Sequence, residues 1–165
     1  MGQDPPSQDD AAPRSFLAED NKTYIDDVEG IGDADLLLRR VPWWHIIWDQ
    51  NTERWRPSSA AFENNPKDGS PMSVRMGPLL ESMGFSLASV LDDYPDFGLV
   101  EFPAGEARTK NQVVAFDALE NEPAHAVVAG RKTGGVKKHL MKSSRWSMPL
   151  SEAALAKARD KRTAI

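Results

Sequence analysis

The sequence predicts an α+β fold: an antiparallel sheet of about five strands with short helices on one face. Two observations favour this class. Short runs rich in β-branched and aromatic residues recur along the middle of the chain, and the segments between them hold no long crossover helix, which is typical of antiparallel pairing. The one long amphipathic pattern comes late, at residues 136–146, and carries a basic stripe.

Composition divides the 165 residues into three parts. Residues 1–21 are acidic and have almost no bulky apolar side chains, so we predict a disordered acidic tail. Residues 22–150 are predicted to form a single α+β domain. Residues 151–165 are predicted to form a C-terminal helix or tail, in which Ser151 and Glu152 begin an Ala-rich helix.

The tryptophan-rich stretch at residues 43–56 is predicted to contain the central strand. Trp44, Ile46 and Trp48 alternate with residues that are also mostly apolar, which predicts a strand buried on both faces. We therefore expect Trp44 and Trp48 to be buried. Pro42 interrupts the preceding apolar run and predicts an edge position or a bend there.

The remaining elements follow from local signals. Strands are predicted at residues 72–76, 98–102, 112–116 and 124–129. Pro78 opens a short helix that Gly84 ends, and Ser86 is a good N-cap for a second short helix. Residues 136–146 are predicted to form an amphipathic helix, with Val136 and Leu140 on one stripe and the cations Lys138, Lys142 and Arg145 on another.

The charge is distributed unevenly along the chain. Residues 1–30 carry eight acidic and two basic side chains, a net charge of −6, whereas residues 131–165 carry two acidic and ten basic ones, a net charge of +8. Such asymmetry can indicate contact with nucleic acid or another polyanion, or the two ends can neutralise each other or simply keep the chain soluble. Because the isoelectric point is near 5.2, we expect at most weak, salt-sensitive contact with nucleic acid.

Several classes of protein are disfavoured. The chain has no cysteine, which excludes disulfides and thiolate metal sites, and no run of roughly 18 apolar residues that would span a membrane. The first residues are acidic and do not resemble a secretory signal. We therefore expect a cytoplasmic protein with no membrane contact, and we predict no metal site and no cofactor.

The best candidate ligand-binding stretch is residues 54–62. Arg54 and Arg56 flank Trp55, so their guanidinium groups could project together toward a phosphate or carboxylate. Ser58 and Ser59 add hydroxyl donors. The alternative is a serine-capped turn from Ser58 onward that carries Phe62 into the core.

Three further positions are candidates for chemistry. Arg39 and Arg40 point to opposite faces of a predicted strand, so one could bind an anion at the floor of a cleft, or pair with Asp49 or Glu101 inside the protein. His125 lies between two alanines in a predicted strand and could act as a general base, or be a packed structural residue.

Several of these motifs together resemble a widespread family of small uncharacterised bacterial proteins. They are residues 38–41, Asp49, and residues 54–62, 72–74 and 123–130, and the likeness spans about residues 36–146. It implies a bacterial origin and a compact domain, but no reaction. The chain is also similar, by analogy, to ADP-ribosyltransferase-type toxins, which implies that Arg39 or Arg40, Ser73, and Glu101 or Glu106 surround NAD.

Two functions remain open, and whether the protein is an enzyme is not decided at this stage. The first is a binding or accessory domain that recognises an anionic small molecule or a partner protein through residues 54–62. The second is a small nucleotide- or NAD-using enzyme with Ser73, His125, and Arg39 or Arg40 as catalytic candidates. An enzyme of this kind is expected to place Arg56, Ser59 and His125 in one pocket, whereas a binding domain would scatter them.

Overall fold

The computed structural model describes residues 15–17 and 24–163, and ten strands lie in this part of the chain. They are β1 Ser15–Leu17, β2 Tyr24–Asp26, β3 Leu36–Pro42, β4 Ile46–Asp49, β5 Arg54–Pro57, β6 Met72–Met76, β7 Phe97–Pro103, β8 Val113–Phe116, β9 His125–Ala129 and β10 Arg145–Met148. Six of them form an antiparallel sheet in the order β10-β7-β3-β6-β9-β8.

The helices of the described residues are mostly short. They are α1 Gly77–Ser82, α2 Ala104–Arg108, α3 Gly134–Ser143 and α4 Glu152–Thr163, with 3₁₀ turns at Trp43–His45, Ser59–Ala61 and Leu87–Leu91. Hydroxyl caps begin three of these elements, as local sequence predicts: Ser86 Oγ, Thr133 Oγ1 and Ser151 Oγ accept hydrogen bonds from the amides of Ser89, Val136 and Ala154. None of the described helices is long and apolar enough to cross a membrane.

The α+β class and the antiparallel sheet are confirmed. The sheet has six strands because β3 takes the place of the predicted tryptophan strand and residues 145–148, predicted to end the basic helix, pair with β7: Arg145 lies opposite Glu101. Helix α3 ends at Ser143, so Arg145 does not belong to its basic stripe. Strands β7 and β8 are both present as predicted, but β3, β6 and β9 lie between them.

Helices cover both faces of the sheet rather than one. On the first face, Leu37 and Val41 of β3 share a core with Leu140 of α3 and Ala158 of α4. The adjacent residue Leu38 points to the second face. There it belongs to a smaller core with three neighbours from other elements: Leu80 of α1, Val90 of the 3₁₀ turn and Leu99 of β7.

The tryptophan-rich stretch does not form a central strand. The chain leaves the sheet at Pro42, turns through Trp43–His45, and forms a separate two-stranded hairpin in which β4 pairs with β5. The prediction that Trp44 is buried is therefore wrong, because its exposed fraction is 45%. Trp48 is partly buried against Trp55, with 5.5 Å between ring centroids.

The first residues can be compared with the prediction only in part. Residues 1–14 and 18–21 of the predicted disordered tail lie outside the described residues. Ser15–Leu17, which we expected to belong to that tail, pairs with Tyr24–Asp26 as a two-stranded ribbon. At the other end, the predicted C-terminal helix is α4.

Candidate functional site

A cleft opens where two neighbouring strands of the sheet separate. Strands β3 and β6 pair only at Leu37–Met76 and Leu38–Arg75. Beyond these pairs, β3 continues along β7 and β6 continues along β9, so the sheet divides. The resulting cleft has a volume of about 740 Å³, and its lining includes Arg39, His45, Ala60, Glu63, Lys67, Ser73, Tyr94, Phe97 and Lys137.

Arg39 reaches into this cleft from β3 and holds its walls together. Its Nε donates to the carbonyl of Ala61 at 3.0 Å, and its Nη1 donates to the carbonyl of Ser73 at 2.8 Å. A longer contact of 3.4 Å joins Nη2 to the Glu63 carbonyl. Every one of these acceptors is a neutral backbone oxygen, so the guanidinium charge is solvated by dipoles but is not neutralised.

The pKa of Arg39 reflects burial without a direct ion pair. Burial is the largest influence, and the positive charges of Arg75 and Arg40 add to it; the negative charge of Glu63 opposes them only in part, so the pKa of Arg39 falls to about 10. Among the described residues, no carboxylate lies within ion-pair distance of its guanidinium. A charged group held in this way is stabilised by any anion that enters the cleft.

Two lysines and one glutamate complete the charge of the cleft. Lys137 Nζ lies 2.9 Å from Glu63 Oε2, and Lys67 is exposed at the rim. His45 also lines the cleft; burial, followed by the charges of Arg39 and Lys161, lowers its pKa, so the imidazole is neutral at physiological pH. Three cations therefore face one carboxylate, and the cleft has a net positive charge.

Arg40 points to the other face of the sheet, where its guanidinium group binds a carboxylate, a backbone carbonyl and an aromatic ring. Its Nη2 donates to Glu122 Oε1 at 2.6 Å, its Nε donates to the Val90 carbonyl, and its guanidinium lies 3.9 Å from the Tyr94 ring centroid. Arg75 binds both oxygens of Glu122 at 2.7 Å. Burial favours the protonated form of Glu122, but the hydrogen bonds and charges of Arg75 and Arg40 outweigh it and lower its pKa.

The predicted partners of the two arginines are wrong, although their opposite orientations are confirmed. Asp49 lies 3.4 Å from Arg56, and Glu101 lies 3.0 Å from Arg145. Glu122 pairs with Arg40 instead. It stands in a turn, 82 residues further along the chain, where no local pattern predicts the contact.

The stretch from Arg54 to Phe62 is built mainly as structure. Arg54 is exposed, whereas Arg56 is paired with Asp49 and donates to the Pro57 carbonyl. The Trp55 carbonyl accepts from Trp146 Nε1 at 3.0 Å. These contacts do not direct the two guanidinium groups toward one ligand.

The end of the same stretch matches the structural alternative in its turn and in the burial of Phe62, but not in the predicted serine cap. The turn Ser59–Ala61 follows Ser58, whose side chain makes no capping hydrogen bond, and it carries the fully buried Phe62 into the core. Only Ala60 from this segment lines the cleft beside Arg39.

His125 is buried and engaged away from the cleft. Its Nδ1 lies 2.9 Å from the Asp117 carbonyl and 3.2 Å from Asp117 Oδ2. None of Arg56, Ser59 and His125 lines the cleft or either of the two pockets on the other face of the sheet.

The residues of the toxin analogy are also divided. Arg39 and Ser73 meet in the cleft, joined by the 2.8 Å hydrogen bond to the Ser73 carbonyl. Glu101 binds Arg145, and Glu106 lies 2.8 Å from His139 Nε2 on the surface of α2. The carboxylate that the cleft does hold is Glu63, which sequence reasoning did not single out.

Comparison with protein-family models, curated proteins and solved structures gives no significant match to this chain. The resemblance to a bacterial family therefore stays a prediction. Within the described residues, no group of three or more carboxylate or imidazole side chains is arranged to hold a metal ion.

Proposed function

We propose that the protein is a binding domain for a small anionic group, such as a phosphate or carboxylate, and that the group binds in the cleft between β3 and β6. The observation that carries the proposal is Arg39, a partly buried guanidinium whose hydrogen-bond partners are backbone carbonyls alone. Lys67 and Lys137 extend the positive potential from this floor to the rim. An anion would supply the missing counter-charge.

The size of the cleft supports a small-molecule ligand. Its volume of about 740 Å³ lies within the range of pockets that hold cofactor-sized molecules. The anion-binding role moves from residues 54–62 to Arg39, with Ala60 as the one contribution of that stretch. The binding of a partner protein through residues 54–62 is the weaker alternative, because Arg56 is already paired with Asp49.

An NAD- or nucleotide-using enzyme is the second alternative. The approach of Arg39 to Ser73 favours it, since both groups are required by the analogy. The distribution of glutamates disfavours it, because Glu101 and Glu106 are paired elsewhere. Binding without catalysis therefore accounts for more of the geometry.

Isothermal titration calorimetry with inorganic phosphate and pyrophosphate tests the proposal. We expect saturable binding by the native protein, tighter for pyrophosphate because it carries more charge. The double substitution Lys67→Glu with Lys137→Glu reverses two charges at the cleft and should weaken binding by about tenfold or more. Lys67→Glu alone, at an exposed position, should weaken it less and leave folding intact.

The control makes the same charge change outside the cleft. Lys138 and Lys142 are exposed on α3 and do not line the cleft. Their joint replacement by glutamate should change the affinity by no more than about twofold at physiological salt, because screening limits distant charges. Equal losses in the two double variants, or no saturable binding by the native protein, would refute an anion site at Arg39.

A further inference from the structure

The second face of the sheet carries an apolar groove that is separate from the cleft. It has a volume of about 500 Å³, and leucines and a phenylalanine supply most of its apolar surface: Leu36, Leu38, Leu80, Phe85 and Leu87. Phe85 lies in the loop after α1 and Leu87 begins the 3₁₀ turn Leu87–Leu91; their exposed fractions are 48% and 42%. Apolar side chains that line a concavity and remain this exposed are typical of a docking site.

The rim of this groove is acidic, and several of its carboxylates have no cation. Asp35 and Glu81 line the groove, while Asp92 and Asp93 line the adjoining pocket that shares Leu80 and Phe85 with it. Among the described residues, none of these four carboxylates forms an ion pair. The groove therefore combines apolar walls with an uncompensated negative rim.

The cations nearby reduce this negative charge but do not reverse it, because Arg40 and Arg75 together exceed the one carboxylate that they share by a single positive charge. Arg145 is paired with Glu101, whose side chain also lines the groove. Arg40 and Arg75 of the adjoining pocket are both bound to Glu122. The groove also contains a buried polar atom without a hydrogen bond. Ser147 lines the groove, and its Oγ makes no hydrogen bond among the described residues.

From these observations we propose that the groove docks a peptide segment of a partner protein in which apolar side chains alternate with lysine or arginine. The apolar side chains enter between Leu80, Phe85 and Leu87, and the basic ones meet the unpaired carboxylates of the rim. The chain's own first 30 residues carry a net charge of −6 and do not match a negative rim. This proposal does not depend on the anion cleft, which lies elsewhere on the sheet.

Fluorescence anisotropy with three labelled synthetic peptides of about 12 residues tests the chemistry. The first alternates leucine with lysine, the second replaces its lysines with glutamate, and the third replaces its leucines with serine. We expect the native protein to bind the first peptide at least about tenfold more tightly than either of the others. Binding should also weaken as salt is raised.

Matched variants locate the binding on the protein. Phe85→Ser with Leu87→Ser should weaken binding of the leucine–lysine peptide by about tenfold, and Glu81→Lys should weaken it mainly at low salt. The control is Phe116→Ser with Leu119→Ser, which removes two apolar side chains that are 49% and 45% exposed elsewhere. It should leave the affinity unchanged.

Three results would overturn the proposal. One is equal affinity for the leucine–glutamate peptide, and another is no binding of the leucine–lysine peptide by the native protein. The third is concentration-dependent self-association, seen by sedimentation and abolished by Phe85→Ser with Leu87→Ser, which would assign the groove to a second copy of this chain. The circular dichroism spectrum of each double variant is first compared with that of the native protein to show that it folds. The exposed Glu81→Lys variant tests the acidic rim without altering the apolar walls.

Discussion

Arg39 and Arg40 are neighbours in β3, yet their guanidinium groups meet different chemistry. The group of Arg39 is held by neutral carbonyls, whereas that of Arg40 shares the carboxylate of Glu122 with Arg75. The first arrangement gives the guanidinium group no direct ion pair, whereas the second gives each guanidinium group an ion pair with Glu122, although one carboxylate compensates only one of the two positive charges. This contrast is why we place the anion site at Arg39 and a structural role at Arg40.

Glu122 should link the stability of the domain to pH. Its pKa is lower in the folded protein than in the unfolded chain, so the folded state releases its proton more readily. Its contribution to stability is therefore complete above the unfolded pKa of about 4.3 and is lost as the pH falls through the folded pKa. Glu122→Gln should destabilise the protein near neutral pH, because two guanidinium groups then lose their shared carboxylate.

Denaturant unfolding at about pH 7 and about pH 3 measures this effect. The difference in unfolding free energy between the native protein and Glu122→Gln should be on the order of 2 kcal/mol at the higher pH and should narrow at the lower pH. Glu120→Gln, at an exposed neighbouring position, is the control and should show little difference. If the difference in unfolding free energy between the native protein and Glu122→Gln does not change with pH, the ion pairs of Glu122 with Arg40 and Arg75 do not stabilise the domain as proposed.

At the scale of residues, the sequence predicted directions but not distant partners. Strand alternation was enough to place Arg39 and Arg40 on opposite faces. The carbonyl oxygens that accept from Arg39 lie 22 to 34 residues away along the chain. Every residue has a backbone carbonyl, so the residue types in the sequence do not indicate which ones bind the guanidinium group. The prediction that Arg54 and Arg56 bind a ligand depends on their spacing around Trp55. This spacing does not indicate that Arg56 pairs with Asp49.

At the scale of elements, the short hairpin β4–β5 explains why the tryptophans were placed wrongly. An apolar residue at nearly every position from 43 to 48 predicts a strand covered on both faces, but these residues divide between a 3₁₀ turn and a short strand. Pro42 ends the longer strand before them. Aromatic rings can instead cover one another, as Trp44 and Phe97 do at 5.6 Å.

The position of Trp44 in an exposed turn predicts that its removal lowers the unfolding free energy less than removal of the buried Phe62. Trp44→Ala should lower the unfolding free energy by about 1–2 kcal/mol, because nearly half of its side chain is already exposed to water and only the remainder is lost from a buried environment. Phe62→Ala should cost about 3–5 kcal/mol, because Phe62 is fully buried against Phe102. Urea unfolding of both variants provides the comparison, and a larger loss for Trp44→Ala would show that the hairpin is misplaced.

Short-range signals were sufficient for most other elements. The strand at Met72–Met76 and the caps at Ser86 and Ser151 depend on neighbouring residues, and each is found where the local pattern indicated. The order of strands in the sheet depends on contacts far apart in the sequence. The division between β3 and β6, which creates the cleft, is a property of that order and has no local signal.

At the scale of the whole molecule, the basic end is partly neutralised by the acidic middle. Lys137 of the basic end pairs with Glu63 of the middle of the chain, and Lys157 Nζ lies 2.6 Å from Asp96 Oδ2. Arg145 pairs with Glu101 across β10 and β7. The carboxylates in these three pairs belong to the middle of the chain and not to residues 1–30, so the expectation that the two ends neutralise each other stays a prediction.

We therefore expect no tight, sequence-specific binding to nucleic acid. Only weak contact that declines with salt should appear in gel-shift experiments, because the remaining cations of α3, Lys138 and Lys142, are few and the protein is acidic overall. Joint replacement of these lysines by glutamate should remove the weak contact. Submicromolar binding at near-physiological salt that these substitutions abolish would instead indicate a nucleic-acid-binding face.

The anion site at Arg39 is tested most directly by NMR of the arginine side chains during titration with pyrophosphate. The account predicts that the Nε–Hε signal of Arg39 shifts in a saturable way, because the ligand contacts the same guanidinium group, while the signal of Arg54 changes only slightly. Backbone signals of Lys67 and Lys137 should move with the same apparent affinity. Shifts confined to exposed lysines such as Lys138 and Lys142, reproduced by an equal ionic strength of sodium chloride and absent at Arg39, would contradict it.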